Sequence, residues 1–233
     1  MTDLADCITV VIVNYKTLAL TKVCYETFFV TYPTIPLILI DNYSCDDSTA
    51  YIKSISESDS LTTAVFHSTN LGHGPAMALA IESITTPFVF TLDSDCEILR
   101  GGFIEIMMQE MDKNGNLYAI GWLRWVDKLS GVPLEWHVNS PPKSPNFIPY
   151  IHPYAALYRL FMYRKLRPFI DHGAPCVWNM NDAVEAKYDL QNMELKGYIK
   201  HHIAGTRRMW DGAWHPKDNE RPKAWVAGGN HPI

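Results

Sequence analysis

Pro87-Phe88-Val89-Phe90-Thr91-Leu92-Asp93-Ser94-Asp95 is the stretch that decides how this chain folds. The run Phe88–Leu92, entered through a proline, reads as a buried strand. Two carboxylates then emerge together at its C-terminal end. In an open α/β sheet that is the edge at which ligands bind. Acids two residues apart can share a hard divalent cation, and Mg²⁺ or Mn²⁺ held in this way commonly bridges protein carboxylates to a substrate diphosphate. An isolated Asp-X-Asp is usually a pair of solvated loop acids. Its place directly after a buried strand sets this one apart.

Working outward, the first half of the chain alternates strand and helix signals. Ile8–Val13 is a continuous β-branched run, and Leu37–Ile40, introduced by Pro33 and Pro36, is a second. Between them, Leu18–Thr31 has helical spacing, with Leu20, Val23, Cys24 and Phe28 on an apolar stripe. Asp46-Asp47-Ser48 offers caps for a helix through Ile52 and Ile55. Thr63–Phe66 is a short strand, and a helix follows from Gly74 to Ser83. Strands alternating with helices predict a mainly parallel sheet flanked by helices, an α/β fold.

The second half is less regular. Asn116–Trp122 reads as a strand, and Gly131–Pro149 is a Pro-, Asn- and Ser-rich loop long enough to imply function. From Tyr150 to Arg167, Tyr150, Tyr154, Leu157, Leu160 and Phe161 interleave with Arg159, Arg164, Lys165 and Arg167. This predicts a helix with an apolar and a basic face, a membrane-surface element being the alternative. Asp182–Leu195 is expected to be another helix. The tail after Trp210 is aromatic and turn-rich, without a period, and there are no internal repeats.

A chain of 233 residues with 47% hydrophobic and 19% charged residues suits a globular α/β domain. A net charge of −5 argues against general nucleic-acid affinity. The five scattered cysteines, with no CxxC pair, fit reduced thiols better than a disulfide frame or a zinc site. No basic leader and no long apolar span is visible at the N-terminus or elsewhere, so a cytoplasmic protein is expected.

Four polar strand ends now line up. They are Asn14-Tyr15-Lys16, Asp41-Asn42-Tyr43-Ser44, Asn70-Leu71-Gly72-His73-Gly74 and Asp93-Ser94-Asp95. All four should converge on one cleft for a polar, anionic ligand. Their order resembles the nucleotide-sugar-binding half of family 2 glycosyltransferases, which have the GT-A fold. The resemblance covers residues 7–100 well and the remainder loosely. It implies a nucleotide-sugar-binding half over 1–100 and an acceptor-binding, catalytic half of the same GT-A domain over 101–233. It places Asn14 and Tyr15 beside the nucleobase, with Asp41 accepting hydrogen bonds from the base and Asn42 in the same loop. Asn70, Gly72 and Gly74 form the loop that approaches the nucleotide. Asp93 contacts the ribose or the metal, and Asp95 is the direct metal ligand, for Mn²⁺ or Mg²⁺.

For the second half the resemblance implies a base near a helix start, then Gly-Tyr, then a histidine before a Gly-rich segment. Asp182 in Asn181-Asp182 matches the base, although the family usually has Glu where Asn181 stands. Glu185 is the fallback, with Asp171 and Asp189 also open, and a helix-cap role for Asp182 stays as an alternative. His202, or alternatively His201, matches the metal-ligating histidine. Arg207 and Arg208 could hold the diphosphate, and Trp178 could line the acceptor side. The implied activity is inverting, metal-assisted transfer from a nucleoside-diphosphate sugar, UDP-sugar favoured, to a glycan, lipid-linked or other hydroxyl acceptor, with peripheral contact to the inner face of a membrane also open. A non-catalytic nucleotide-sugar or carbohydrate binding protein and a sugar-1-phosphate nucleotidyltransferase are the alternatives. A Rossmann oxidoreductase is disfavoured because no GxGxxG follows the first strand.

Overall fold

A computed structural model describes residues 3–128, 142, 146–170 and 176–202. After a single turn α1 (Leu4–Cys7), the chain runs β1 (Ile8–Asn14), α2 (Leu18–Thr31), β2 (Leu37–Asp41), α3 (Asp47–Ser58), β3 (Thr62–Phe66), α4 (His73–Ser83) and β4 (Phe88–Asp93). It continues through β5 (Cys96–Ile98), α5 (Phe103–Lys113), β6 (Leu117–Asp127), β7 (Phe147–Arg159), α6 (Leu160–Tyr163), α7 (Val177–Glu185), β8 (Asp189–Asn192) and β9 (Ile199–His201). Seven strands form one sheet in the order β3-β2-β1-β4-β7-β6-β8, so strands from both sides of residue 100 share it. Only β7 runs against its neighbours. A separate antiparallel pair, β5 with β9, sits beyond the end of β4.

The alternation along each strand sorts the core into two layers. Ile8, Val10 and Ile12 of β1 and Leu37 and Leu39 of β2 face α2, α3 and α5, whose Cys24, Phe28, Ile52, Phe103 and Met107 are buried against them. Val11, Val13, Ile38 and Ile40 face the other way, onto α4 and α7 through Ala76, Met77, Met180 and Ala183. A strand buried on both faces has to be apolar throughout, which is why these runs do not alternate with polar residues.

Two expectations are corrected in the second half. Tyr150–Arg159 is strand, not helix, with only Leu160–Tyr163 helical. Pro149 and Pro153 remove backbone donors and disfavour a helix, and the tyrosines instead pack on alternate sheet faces. The strand tolerates Pro153 because it lies in an irregularity. Gly121 pairs with Ala156 but Leu123 with Ile151, so four residues of β7 face the single residue Trp122 of β6. Gly121 makes this possible, since a Cβ there would stand 3.0 Å from the Ala155 carbonyl oxygen. Asp182–Leu195 is likewise not one helix. α7 starts earlier, at Val177, and ends at Glu185; Lys187 takes a left-handed turn (φ 58°) and the chain re-enters the sheet as β8. Asp182 is therefore inside a helix, and its helix-cap reading falls because Cys176 occupies the cap position.

Among the described residues no helix is long and apolar enough to cross a membrane. The five cysteines are free, and only Cys45 is exposed.

Candidate functional site

The four polar strand ends come together at the carboxyl edge of β1–β4, and they differ in how their groups are used. Asn14 is wholly buried. Its Nδ2 donates to Ser44 Oγ (2.9 Å) and Asp41 Oδ1 (3.3 Å). Its Oδ1 accepts from the hydroxyls of Thr17 (2.9 Å) and Thr21 (2.7 Å). Asp41, also buried, accepts in addition from Ser44 N (3.1 Å) and Thr49 Oγ1 (2.5 Å). Asn42 donates to Asn70 Oδ1 (2.8 Å) and the Gly72 carbonyl (3.3 Å), and accepts from Leu71 N (3.1 Å). These side chains fasten the loops after β1, β2 and β3 to one another. Tyr15 and the exposed Tyr43 are the rings left at the loop surface, and Lys16, Tyr43 and Cys45 hold positive φ there.

Gly72 takes φ 86° and ψ 165°, a conformation essentially open only to glycine, and so turns the chain into α4. Gly74 is buried in the first turn. His73, between them, places its Nε2 3.4 Å from Asp93 Oδ1.

The end of β4 is arranged differently. Ser94 points inward and its hydroxyl pairs with Thr17 Oγ1 (3.1 Å), which ties this turn to the first loop. Asp93 Oδ1 is buried and makes no hydrogen bond. Burial raises the Asp93 carboxyl above its ordinary value; His73 and His201 pull it down, and the Asp95 charge pushes it further up. Asp95 is buried, and His201 Nε2 lies 3.1 Å from its Oδ1. Burial acts to lower the His201 imidazole, but its hydrogen bond to Asp95 and the charges of Asp95 and Asp93 raise it overall.

β9 explains which of the two adjacent histidines arrives. Paired with β5 in the register Cys96↔His201, it alternates sides. Ile199 and His201 face the core side, whereas Lys200 and His202 reach Glu97 at 3.2 and 3.0 Å. Asp95, Cys96 and His201 offer atoms all within 4.8 Å of one another. The Cys96 thiol donates to the Tyr154 carbonyl (3.4 Å), and burial with the charges of Cys24, Asp93 and Asp95 pushes it far up. Asp95 and His201 make a carboxylate and imidazole set, and beside it lies the Asp93 oxygen that makes no hydrogen bond. That donor set fits Mn²⁺ or Mg²⁺ rather than a thiolate-seeking metal.

β6 and β7 run past the end of β4, since Leu92 pairs with Ala155 and the hairpin continues to Asp127↔Phe147. Its aromatic residues wall the site. Tyr154 stacks on His201 (centroids 4.6 Å apart, 12° between planes), and Trp122 meets both Tyr154 and His152 at 5.8 Å. Burial, helped by His201, Arg124 and His73, holds the His152 imidazole well below its ordinary value, so it is neutral at pH 7. The sequence does not single out His152 or Tyr154 as site residues, because the spacing from Tyr150 to Arg167 predicts a helix. The two prolines were the available signal.

The base candidates lie elsewhere. Asp182 is held by Arg167, whose Nε donates at 3.0 and 2.8 Å and whose Nη2 and backbone N also donate to it. These hydrogen bonds keep its carboxyl below the usual range against a smaller opposing effect of burial. α7 runs from Cys176, whose thiol lies 3.9 Å from Tyr158 Oη, down to β8, which begins beside Leu117 at the start of β6. At 1.5 Å per residue, Asp182 lies about 9 Å along this helix toward the amino edge. Glu185 is exposed and accepts from Asn181 Nδ2 (2.8 Å); Asp189 is exposed and accepts from Asn114 (2.9 Å). Trp178 is half-buried under the Arg167 guanidinium (4.9 Å). Asp171, Arg207, Arg208 and most of the loop Gly131–Pro149 lie outside the described residues.

Comparison with known proteins places this arrangement. The model of Glycosyl transferase family 2 matches residues 9–167. The chain resembles the mannosyltransferase PcManGT from Pyrobaculum calidifontis, solved in complex with GDP-Man and Mn²⁺, with a TM-score of 0.62 and 13% identity over 80% of this chain and 54% of that one. It also resembles S. aureus TarS 1-349 (TM-score 0.58, 11% identity, 87% of this chain and 63% of that one). The same protein in complex with UDP-GlcNAc gives a TM-score of 0.53 at 13% identity, over 91% and 63% of the two chains. At such identities the likeness concerns the fold, which is GT-A. This chain spans between about half and two thirds of the length of those proteins. Among curated proteins none matches it in sequence. With more than half of its residues inside the family match and with the GT-A sheet around them, the chain belongs to glycosyl transferase family 2.

Proposed function

We propose that this chain transfers a glycosyl group from a nucleoside-diphosphate sugar, a UDP-sugar being favoured, to an acceptor hydroxyl with inversion. The observation that carries this reading is the end of β4. There a buried Asp93 oxygen, which makes no hydrogen bond and lies 3.4 Å from His73 Nε2, sits beside the Asp95–His201 pair at the ligand-binding edge of an α/β sheet. Asp95 and His201 would hold Mn²⁺ or Mg²⁺, with Asp93 on the ribose or the metal. The ion, when bound, supplies positive charge for the departing diphosphate. In this reading His201 takes the part that the resemblance gave first to His202, which faces Glu97 instead.

Asn14, Asp41, Asn42 and Asn70 then act by holding the donor loops in shape, and Tyr15 and Tyr43 offer ring faces to the base. Gly72 and Gly74 bring the α4 backbone close to the phosphates, with Arg207 and Arg208 as further diphosphate partners. The acceptor hydroxyl must lose its proton to a carboxylate base near the sugar. Asp182 is the family's position for that base, with Glu185 as its fallback; Asp182 can serve only if Arg167 releases it. The printed titles of the structural relatives, with GDP-Man and Mn²⁺ in one and UDP-GlcNAc in another, support a nucleotide-sugar donor.

Titration of UDP, GDP, dTDP and CDP into the protein, each with and without Mn²⁺, tests the donor half. Tight, metal-dependent binding of one of them is expected. Failure of all four in folded protein removes the proposal. The clamp on Asp182 favours one second reading, a nucleotide-sugar binding protein without transfer, which keeps the binding result and shows no product with any acceptor.

A further inference from the structure

We infer that Tyr154 is a positioning residue for His201, fixing the imidazole that faces the cation site. This rests on the reading of Asp95 and His201 as metal-holding groups. The inference comes from the geometry of β7, not from the carboxylates. His201 arrives on β9, a three-residue strand that, among the described residues, pairs only with the equally short β5. A ladder so short constrains the backbone but leaves the imidazole free to turn about its side-chain bonds. Two contacts remove that freedom. Asp95 takes Nε2 at 3.1 Å, and the ring of Tyr154 covers one face, nearly parallel at 4.6 Å.

Tyr154 is itself held on several sides. Its ring meets Trp122 edge-on at 85° and His152 at 62°. Its backbone carbonyl accepts from the Cys96 thiol (3.4 Å), and Pro153, just before it, accepts from Thr91 Oγ1 of β4 (2.7 Å). The irregularity opposite Trp122 is what carries this segment beyond the end of β4, where His201 lies. The stack thus couples a histidine on a marginal two-stranded ladder to the seven-stranded sheet. Groups that orient a metal ligand typically matter to metal affinity by roughly 10–100-fold. The ring supplies the effect; the hydroxyl has no part in the stack.

The test uses the full chain with Tyr154→Leu, Tyr154→Phe, Tyr154→Met and His201→Ala, and Mn²⁺ itself as the probe, followed by the electron paramagnetic resonance of the free ion. Tyr154→Leu should weaken Mn²⁺ binding by about 10-fold or more, and Tyr154→Phe, which keeps the ring, should restore it to within about 2-fold of wild type. In metal-free wild-type protein the His201 ring protons should be displaced upfield by the Tyr154 face and return toward ordinary values in Tyr154→Met. Unshifted His201 ring protons in the wild type would overturn the inference even if Tyr154→Leu failed to fold. So would unchanged Mn²⁺ affinity in folded Tyr154→Leu when His201→Ala weakens it. If His201→Ala leaves Mn²⁺ binding intact, the metal reading itself falls and takes this inference with it, whereas the ring shift would still report the stack.

Discussion

The carboxyl ends of β1 and β2 and the carboxyl end of β4 carry similar residues and use them in opposite ways. Asn14, Asp41 and Asn42 are buried among donors and acceptors of their own loops, and each oxygen and amide is engaged at hydrogen-bonding distance. At β4, by contrast, Asp93 keeps a buried oxygen without a hydrogen bond, 3.4 Å from His73 Nε2, and Asp95 faces His201 at 3.1 Å. A buried polar group costs free energy unless it is paired. The first set therefore reads as architecture, and the Asp93 oxygen as a group open to something from outside. Polar residues at a strand end are not equivalent evidence of binding; their internal partners distinguish them.

That comparison breaks or sharpens under substitution. Asp95→Ala should show the largest change: the Mn²⁺-dependent part of UDP binding should disappear, a loss exceeding the roughly 10–100-fold expected of a merely supporting group. Its stability in urea should barely move. If unfolding shifts strongly while Mn²⁺-dependent binding survives, the contrast between the two edges is inverted. Asp41→Ala should do the reverse. It leaves Asn14, Ser44 N and Thr49 without their shared acceptor, and a loss of about 3 kcal/mol in urea unfolding is expected.

Asp182, on α7, tests the comparison from outside both strand edges. If the Arg167 clamp is structural, Asp182→Asn should cost about 1 kcal/mol, the upper range for a partly screened ion pair, and leave transfer unchanged. Abolished transfer with intact nucleotide binding would instead make it the base. The smallest effect is its pH dependence. Arg167 lowers the folded-state value of Asp182, so the pair contributes stability above the unfolded-state value near about 4 and loses it as pH falls through the lowered one. The stability gap between wild type and Asp182→Asn should accordingly be full at neutral pH and close progressively below about pH 4, as followed by urea titrations across that range.

Much of this was legible in the sequence, for local reasons. Strands buried on both faces must be apolar, so Ile8–Val13, Leu37–Ile40 and Phe88–Leu92 announced themselves, and Leu18–Thr31 has the same bounds in the structure as in its spacing. The order of those elements also decided where Asp93 and Asp95 emerge, because parallel strands put all their carboxyl ends on one edge. Tertiary structure decided the rest. In Tyr150–Arg159 Pro153 speaks against a helix without specifying a strand, and pairing with β4 and β6 made it one. His201 and His202 are indistinguishable as neighbours in sequence. The two-residue alternation of β9, set by its register against Cys96, turns one toward Asp95 and the other toward Glu97. Likewise, nothing local says that Asn14 and Asp41 satisfy each other while Asp93 does not. That depends on which loops meet across the end of the sheet, a long-range property no single segment contains.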